Sequence, residues 1–471
     1  MIREPTTPGR PAGAAALVFL TLAGAVGAGA GALVFALIER GADTPLRDIH
    51  RALPWLPPLV IPGMLLLILW LRDRFFPGTD GTGIPQAIAA LRLGPGDERD
   101  RLLSLRVAGG KILLTALGLV SFLSIGREGP SVQIGACCMH GIARLRRFPA
   151  HLAERGLILA GGAAGIAAAF NAPIAGIVFS MEEIGRSFDK RNMPVIVRTV
   201  LLACLVCALA MGNHYFYGDL DTGRGPLHLD GWRPWIAVLA IGAVGGFLGG
   251  VFSRLLLAVM PRISRWIRRR KVATALGIGI LIGAIGLLSD GQSYGSGFAQ
   301  AKALLAEGSP GYAETLPAHE REELAGLREG LTPLYPLYRA AATFLVLLTA
   351  IPGGLFDPSF SVGAGLGAAA FPLLSWTGIA PQAVLLLFIA AYFSGVVQSP
   401  MTAFIILLEM TGVLLFSLPL AAAAIVAYSV SRGVCPEPLY ETLAANFIRR
   451  RGAGLEPGSA RSLRAAQGKQ A

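Results

Sequence analysis

Charge-free residues run along this chain in blocks too long for the buried stripe of a soluble helix. Pro11–Ile38, Ala52–Leu71, Gly156–Met181, Thr199–Gly218, Pro234–Ser253, Val272–Ser289, Ala340–Phe356 and Met410–Ser431 carry no formal charge, and Pro358–Leu408 is long enough for at least two helices. About 20 apolar residues cross a bilayer as a helix. The pattern predicts an all-α polytopic membrane protein with roughly ten or more crossings. Sixty glycines and 31 prolines interrupt the blocks. Within a membrane, unwound backbone persists only where protein or a water cavity covers it. The interruptions therefore predict broken helices that face a polar path.

The polar residues that break the apolar pattern cluster at a few places. The run Ile112–Gly126 leads into Gly126-Arg127-Glu128-Gly129-Pro130. Glycine permits a tight turn and proline suits the first helical turn, so this reads as a helix start. The first N–H groups of a helix lack internal partners, and the dipole makes that end attractive to anions. Glu128 would then sit at an anion site inside the membrane, where an ionisable residue is a functional candidate. The plain alternative is a loop glutamate at the bilayer surface, neutralised by Arg127. A second start of the same kind, Gly81-Thr82-Gly83-Ile84-Pro85, follows the second apolar block and precedes a helix-like Gln86–Leu93. Ser309–Gly330, with five glutamates, reads as a solvated loop or short surface helix.

The second half repeats the first. Gly126, Pro130 and Gly135 are echoed at one constant offset by Gly354, Pro358 and Gly363. Pro173 and Glu182 are echoed in nearly the same register by Pro400 and Glu409. Repeated halves, each with a broken helix that starts in glycine and proline, point to a transporter whose site lies at the midplane between the repeats. The expected organisation is one transmembrane domain over 1–471: a first repeat at about 12–230, a second at about 231–450, and a basic cytoplasmic tail at 451–471. Only about thirty residues follow Tyr440, too few for a cytoplasmic domain, and none is expected there.

Composition and charge narrow the class. The chain is 54% hydrophobic and 15% charged, where a soluble protein would carry about a quarter charged residues. The net charge of +12 sits in clusters: Arg72/Arg74, Arg99–Lys111, Arg144–Arg155, Arg262–Lys271 and Arg449–Arg464. Cytoplasmic loops and anionic lipid account for these better than nucleic acid does. The first apolar run is too long for a cleavable signal peptide. Cys204 and Cys207 have redox or metal spacing, but in an apolar helix without a second pair they read as buried small residues. The six histidines are scattered, with no metal-type cluster, and no nucleophile set or nucleotide loop occurs. An enzyme using paired carboxylates is therefore disfavoured, and no cofactor or metal is expected.

These stretches together resemble the CLC family of chloride channels and chloride/proton antiporters. Gly81-Thr82-Gly83-Ile84-Pro85 is similar to the family's GSGIP motif and Gly126–Pro130 to GREGP. Gly354-Leu355-Phe356-Asp357-Pro358 is similar to GxFxP, Pro438-Leu439-Tyr440 to the final tyrosine motif, and Ala169–Pro173 with Glu182-Glu183 to the segment that carries the inner proton glutamate. The resemblance implies a multi-pass protein of the cell inner (plasma) membrane, a homodimer with one pore per subunit, each subunit built of two inverted repeats and without CBS domains. It implies an anion held by the hydroxyls of Thr82 and Tyr440 and the backbone N–H groups of Leu355 and Phe356. Glu128, flanked by Arg127 and Gly129, would be the outer gate, and Glu183 the inner proton station. Tyr440 as an interfacial aromatic anchor and Glu183 as a helix-end surface charge are the plain alternatives.

The physics agrees with the resemblance. An anion that must also leave needs moderate binding by several donors rather than a fixed cation. An ionised Glu128 can occupy an anion site itself, and a proton removes its claim, so proton and anion compete for one position. Two positions depart from the family pattern. Thr82 keeps the serine hydroxyl but adds a methyl, at a position that tunes anion choice. Asp357 stands where a small neutral residue is usual, and it would repel an anion unless it caps the helix or pairs with an arginine. The expected function is exchange of chloride, or a similar monovalent anion, for protons. A passive chloride channel gated by voltage or pH is the alternative, and a fluoride/proton antiporter a third.

Overall fold

The computed structural model describes residues 14–93, 96–145, 155–187, 189–220 and 229–452. The polar N-terminal residues 1–10, most of the basic segment 144–155 and the tail from 453 onward lie outside the described residues. The first half of the chain contains α1 (Ala14–Ala52), α2 (Leu56–Phe75), α3 (Ile84–Arg92), α4 (Asp97–Leu102), α5 (Leu105–Leu119), α6 (Glu128–Leu145), α7 (Leu157–Phe170), α8 (Pro173–Phe179) and α9 (Met193–Met211), with a π-turn at Ser180–Ile184 after α8. The second contains α10 (Arg233–Arg269), α11 (Lys271–Leu288), α12 (Phe298–Gly308), the short α13 (Pro310–Thr315) and α14 (Ala318–Gly330), α15 (Tyr335–Leu348), α16 (Phe356–Leu374), α17 (Pro381–Val397), α18 (Pro400–Thr411) and α19 (Ser417–Val434). The terminal α20 (Leu439–Gly452) follows. The glutamate-rich segment 309–330 is thus helical.

Matching positions of the two repeats adopt the same rare backbone. Phe122 and Ala350, equivalent by the offset that relates Gly126 to Gly354, both have positive φ, at 62° and 53°. Asn171 and Gln398 end α7 and α17 in the left-handed region, and the next residues have φ and ψ of −126° and 80° (Ala172) and −125° and 81° (Ser399). Side chains with a Cβ rarely enter positive φ, so this agreement reports a duplicated backbone. Gly126 and Gly354 meet in an antiparallel bridge. The Gly126 N–H donates to Gly354 O at 2.9 Å, and the Gly354 N–H donates to Gly126 O at 2.5 Å. Equivalent residues that exchange bonds while running in opposite directions sit beside a local two-fold, as inverted repeats require.

A reciprocal clasp fixes the half-helices. Glu182, after α8, accepts the N–H groups of Met401 (3.0 Å) and Thr402 (2.7 Å) at the start of α18. Glu409, near the end of α18, accepts the N–H groups of Ile174 (3.0 Å) and Ala175 (2.6 Å) at the start of α8. Each carboxylate satisfies orphan donors of the opposite helix and complements its dipole.

The full-length crossings are fewer than the apolar blocks suggest. Among the described residues eight helices are long and apolar enough to span a membrane, or up to nine if the bent pair α14 and α15 counts as one. Gly156–Met181 is cut at Asn171, and Pro358–Leu408 is divided among α16, α17 and α18. α7 has 14 residues, about 21 Å of helix against a hydrocarbon core of about 30 Å. Every residue of α7 and all but the first of α17 are buried, so these helices form the core. Glycine makes this possible: a Cβ on Gly165 would strike the backbone of Ser131 in α6, so the two helices touch backbone to backbone. α1, by contrast, runs beyond Ile38 to Ala52, because its charged residues find protein partners: Glu39 pairs with Arg127 at 2.9 Å, and Arg47 with Glu323.

Candidate functional site: a cavity between the repeats

The loop before α3 carries Thr82. Gly83, with φ of 105°, turns the chain into α3, and its N–H donates to the Gln86 side chain at 3.1 Å. The Gly81 N–H donates to Ala350 O of the other repeat at 2.8 Å. Lys111, fully buried on α5, donates to Thr79 O at 2.9 Å and to Gly81 O at 2.6 Å. It thus fixes the loop from within. A loop so tied presents the Thr82 hydroxyl inward, where its oxygen is buried without a hydrogen-bond partner.

The second repeat holds its loop in the same way. Arg339, the counterpart of Lys111 by the repeat offset, donates to the carbonyls of Gln292 (2.5 Å), Ser293 (3.1 Å), Tyr294 (3.1 Å) and Gly295 (2.7 Å) ahead of α12. The sequence reading missed both cations. They sit just ahead of Ile112–Gly126 and Ala340–Phe356, and the offset between Gly126 and Gly354 pairs them.

Thr82, Leu355 and Tyr440 line one cavity of about 60 Å³, where a single water needs roughly 10–15 Å³. Leu355 and Phe356 open α16, so their N–H groups are among those a helix leaves without internal partners. Tyr440, near the start of α20, is fully buried, and its hydroxyl has no partner. It is no interfacial anchor. Its ring lies 6.5 Å from that of Phe356, which also packs against Phe179 at 5.9 Å and Phe393 at 4.5 Å. Two orphan hydroxyls and a helix N-terminus in an aromatic shell can hold an anion without a bound cation.

Glu128 is the first residue of α6 and is fully buried, which excludes a surface loop. Its Oε1 accepts the Arg127 N–H at 3.1 Å, and Oε2 has no partner. The carboxylate folds back into the cradle of the bridged glycines: a Cβ on Gly126 or Gly354 would overlap its oxygens. Arg127 does not neutralise it by a side-chain bond. The guanidinium is turned to Glu39 and lies over the Phe216 ring at 5.6 Å. Gly129 lets α6 meet the first loop, since a Cβ there would stand 2.6 Å from Thr82 O. Asp357, one residue into α16, is fully buried and lies against the Glu128 carboxyl, and neither of its oxygens has a hydrogen-bond donor. It neither caps the helix through its side chain nor forms an ion pair with an arginine.

Glu183 lies on the π-turn. It is buried, its Oε2 accepts the Ser399 hydroxyl at 2.6 Å, and its Oε1 has no partner. The turn separates two adjacent glutamates: Glu182 caps α18 while Glu183 faces inward. A π-turn inside a helix often marks a functional position. Glu183 and Glu128 both act electrostatically on the Tyr440 hydroxyl, which lines the cavity. Cys204 and Cys207 are free and buried, and among the described residues no His, Cys, Asp and Glu group could hold a metal ion.

Residues 64–432 match the model of a family described as voltage gated chloride channel. An H+/Cl− exchange transporter, ClcA, of Vibrio parahaemolyticus is 28% identical over 441 residues, covering 91% of this chain and 88% of the relative. Its namesake in Yersinia pestis is 27% identical over 457 residues, covering 92% and 88%. Among solved structures, a slow cyanobacterial Cl−/H+ antiporter superposes with a TM-score of 0.73 at 24% identity, covering 91% of this chain and 97% of that one. A CLC-type fluoride/proton antiporter superposes at 0.70 with 23% identity, covering 91% and 98%. At these identities the structural likeness speaks to the fold.

Proposed function

This chain belongs to the voltage gated chloride channel family, and from that premise we propose that it exchanges a monovalent anion, chloride foremost, for protons across the cell's inner membrane. The anion is held by the Thr82 and Tyr440 hydroxyls and the N–H groups of Leu355 and Phe356, with Lys111 fixing the loop behind Thr82. These are moderate donors, and an ion they hold can leave. Glu128 is the outer gate. Ionised, its carboxylate competes with the anion for the positive end of a helix; protonated, it gives up that claim. Arg127 and Gly129 place it, the first by donating its N–H and the second by allowing α6 to approach Thr82.

The observation that carries the antiport reading is the second buried carboxylate. Glu183, bonded to Ser399 and close to Tyr440, offers a proton a second station away from Glu128. A passive channel has no use for it. The exchange transporter names of relatives such as the Vibrio protein support the same reading, and the working unit is a homodimer with one pore per subunit.

The test is simultaneous chloride and proton flux from purified protein in liposomes. Glu183→Gln is expected to abolish proton movement while chloride still passes. Normal coupling in this variant would remove Glu183 from the proton path. Chloride flux without proton movement in the unaltered protein would make it a channel, and fluoride flux exceeding chloride flux would place Thr82 in a fluoride site.

A further inference from the structure

Glu128, Asp357, Glu39 and Arg127 form one buried electrostatic cluster drawn from α6, α16, α1 and the turn before α6. With every group ionised it would hold three carboxylates against one guanidinium. That guanidinium is turned to Glu39, 2.9 Å away. Glu128 and Asp357 are then left against each other, both fully buried. Glu128 Oε2 and both Asp357 oxygens lack a donor. Of the other ionisable side chains near Asp357, Tyr217 also faces it; its hydroxyl is buried and unpartnered. Two ionised carboxylates in such contact repel, and a buried acceptor without a donor loses its hydration with nothing in return. One proton between them changes the contact into a carboxyl–carboxylate hydrogen bond and removes one charge.

We propose that Asp357 is a second proton-binding carboxyl of the outer gate, which shares one proton with Glu128 and holds that side chain in its folded-back position. The inference rests on the reading of Glu128 as the gate. The pair gives the departure from a small neutral residue a purpose. At neutral pH the shared proton hides the Asp357 charge from the anion beyond the start of α16. When that proton is lost, Asp357 becomes a second negative charge at the helix end that binds the anion. When an anion displaces Glu128, each carboxyl keeps or takes up a proton of its own. Proton count is conserved: protons come from solvent as the anion binds and return as it leaves.

The test is the number of protons taken up per chloride bound, measured calorimetrically on the full-length protein in buffers of different ionisation enthalpy. The unaltered protein is expected to take up about one proton per chloride at neutral pH and roughly two at alkaline pH. Asp357→Asn, which keeps the shape and adds a donor, is expected to stay near one throughout. Where the unaltered protein takes up two protons, its chloride affinity should fall about tenfold more steeply per pH unit than that of Asp357→Asn, the effect of one extra linked proton. Equal proton uptake in the two proteins at every pH overturns the proposal. Glu128→Gln separates the two claims. If it lowers uptake and Asp357→Asn does not, the shared proton fails and the gate stands; if it leaves uptake unchanged, the gate assignment itself fails. Should Asp357→Asn not yield stable protein, Asp357→Ser serves in its place. The unaltered protein also decides alone, because uptake of one proton or fewer at alkaline pH overturns the proposal.

Discussion

A methyl group added to Gly354 would overlap Glu128 Oε2 and stand 2.8 Å from the carbonyl carbon of Gly126. The Glu128 carboxylate therefore rests in a cradle that admits no side chain. Gly354→Ala is expected to dislodge Glu128 and to cost about 1–3 kcal/mol of stability through overpacking. Chloride flux at neutral pH should then exceed that of the unaltered protein, in which the folded-back Glu128 is proposed to contest the site; unchanged flux would mean that the cradle does not hold Glu128 in place. Glu128, Thr82, Tyr440 and Glu183 were legible as candidates through the motifs that carry the family resemblance, although their burial was not. Lys111 and Arg339 were not, because a cation at the edge of an apolar block reads as a boundary charge until its carbonyl partners, Thr79 and Gly81 or Gln292 to Gly295, are seen. The setting of Asp357 was hidden for the same reason: its neighbour Glu128 belongs to the other repeat, far away in the chain.

At the scale of elements, the half-helices α8 and α18 are held by each other's glutamates. Glu409→Ala removes two charge-assisted bonds from the start of α8 and is expected to lower stability by about 1–2 kcal/mol, the cost of losing a helix cap. Glu182→Ala should do the same at α18, with proton coupling retained in both. Thermal unfolding in detergent, paired with flux ratios, checks this. Loss of coupling in Glu182→Ala with unchanged stability would exchange the roles given to Glu182 and Glu183. Glycine and proline announced that the helices are broken, and α16 and α18 begin close to the prolines the sequence offers. What sequence spacing could not supply is the π-turn at Ser180–Ile184, since one extra residue in a helical turn leaves no compositional trace. The stops at Asn171 and Gln398 each lie two residues before a proline, and both residues take positive φ there.

For the molecule as a whole, the near-constant offset between motifs was enough to find the duplication. The bridge between Gly126 and Gly354 gives it physical form, because both repeats contribute the same residue to one reciprocal pair. The number of crossings was less legible: composition cannot tell a lipid-facing span from a short helix buried on all sides, and α7 and α17 are the latter. The cavity lined by Thr82 and Tyr440 and both buried carboxylates sit among the broken elements that the repeats bring together, where a transporter of repeated halves has its site. The central claim is that one position, contested by the Glu128 carboxylate and an anion, couples the two fluxes. Its most direct test uses purified protein in chloride-loaded liposomes with a pH electrode outside. On release of an outward chloride gradient, the unaltered protein is expected to drive proton uptake against a proton gradient, and Glu128→Ala to pass chloride with no proton movement. Proton uptake that persists in Glu128→Ala would contradict the account.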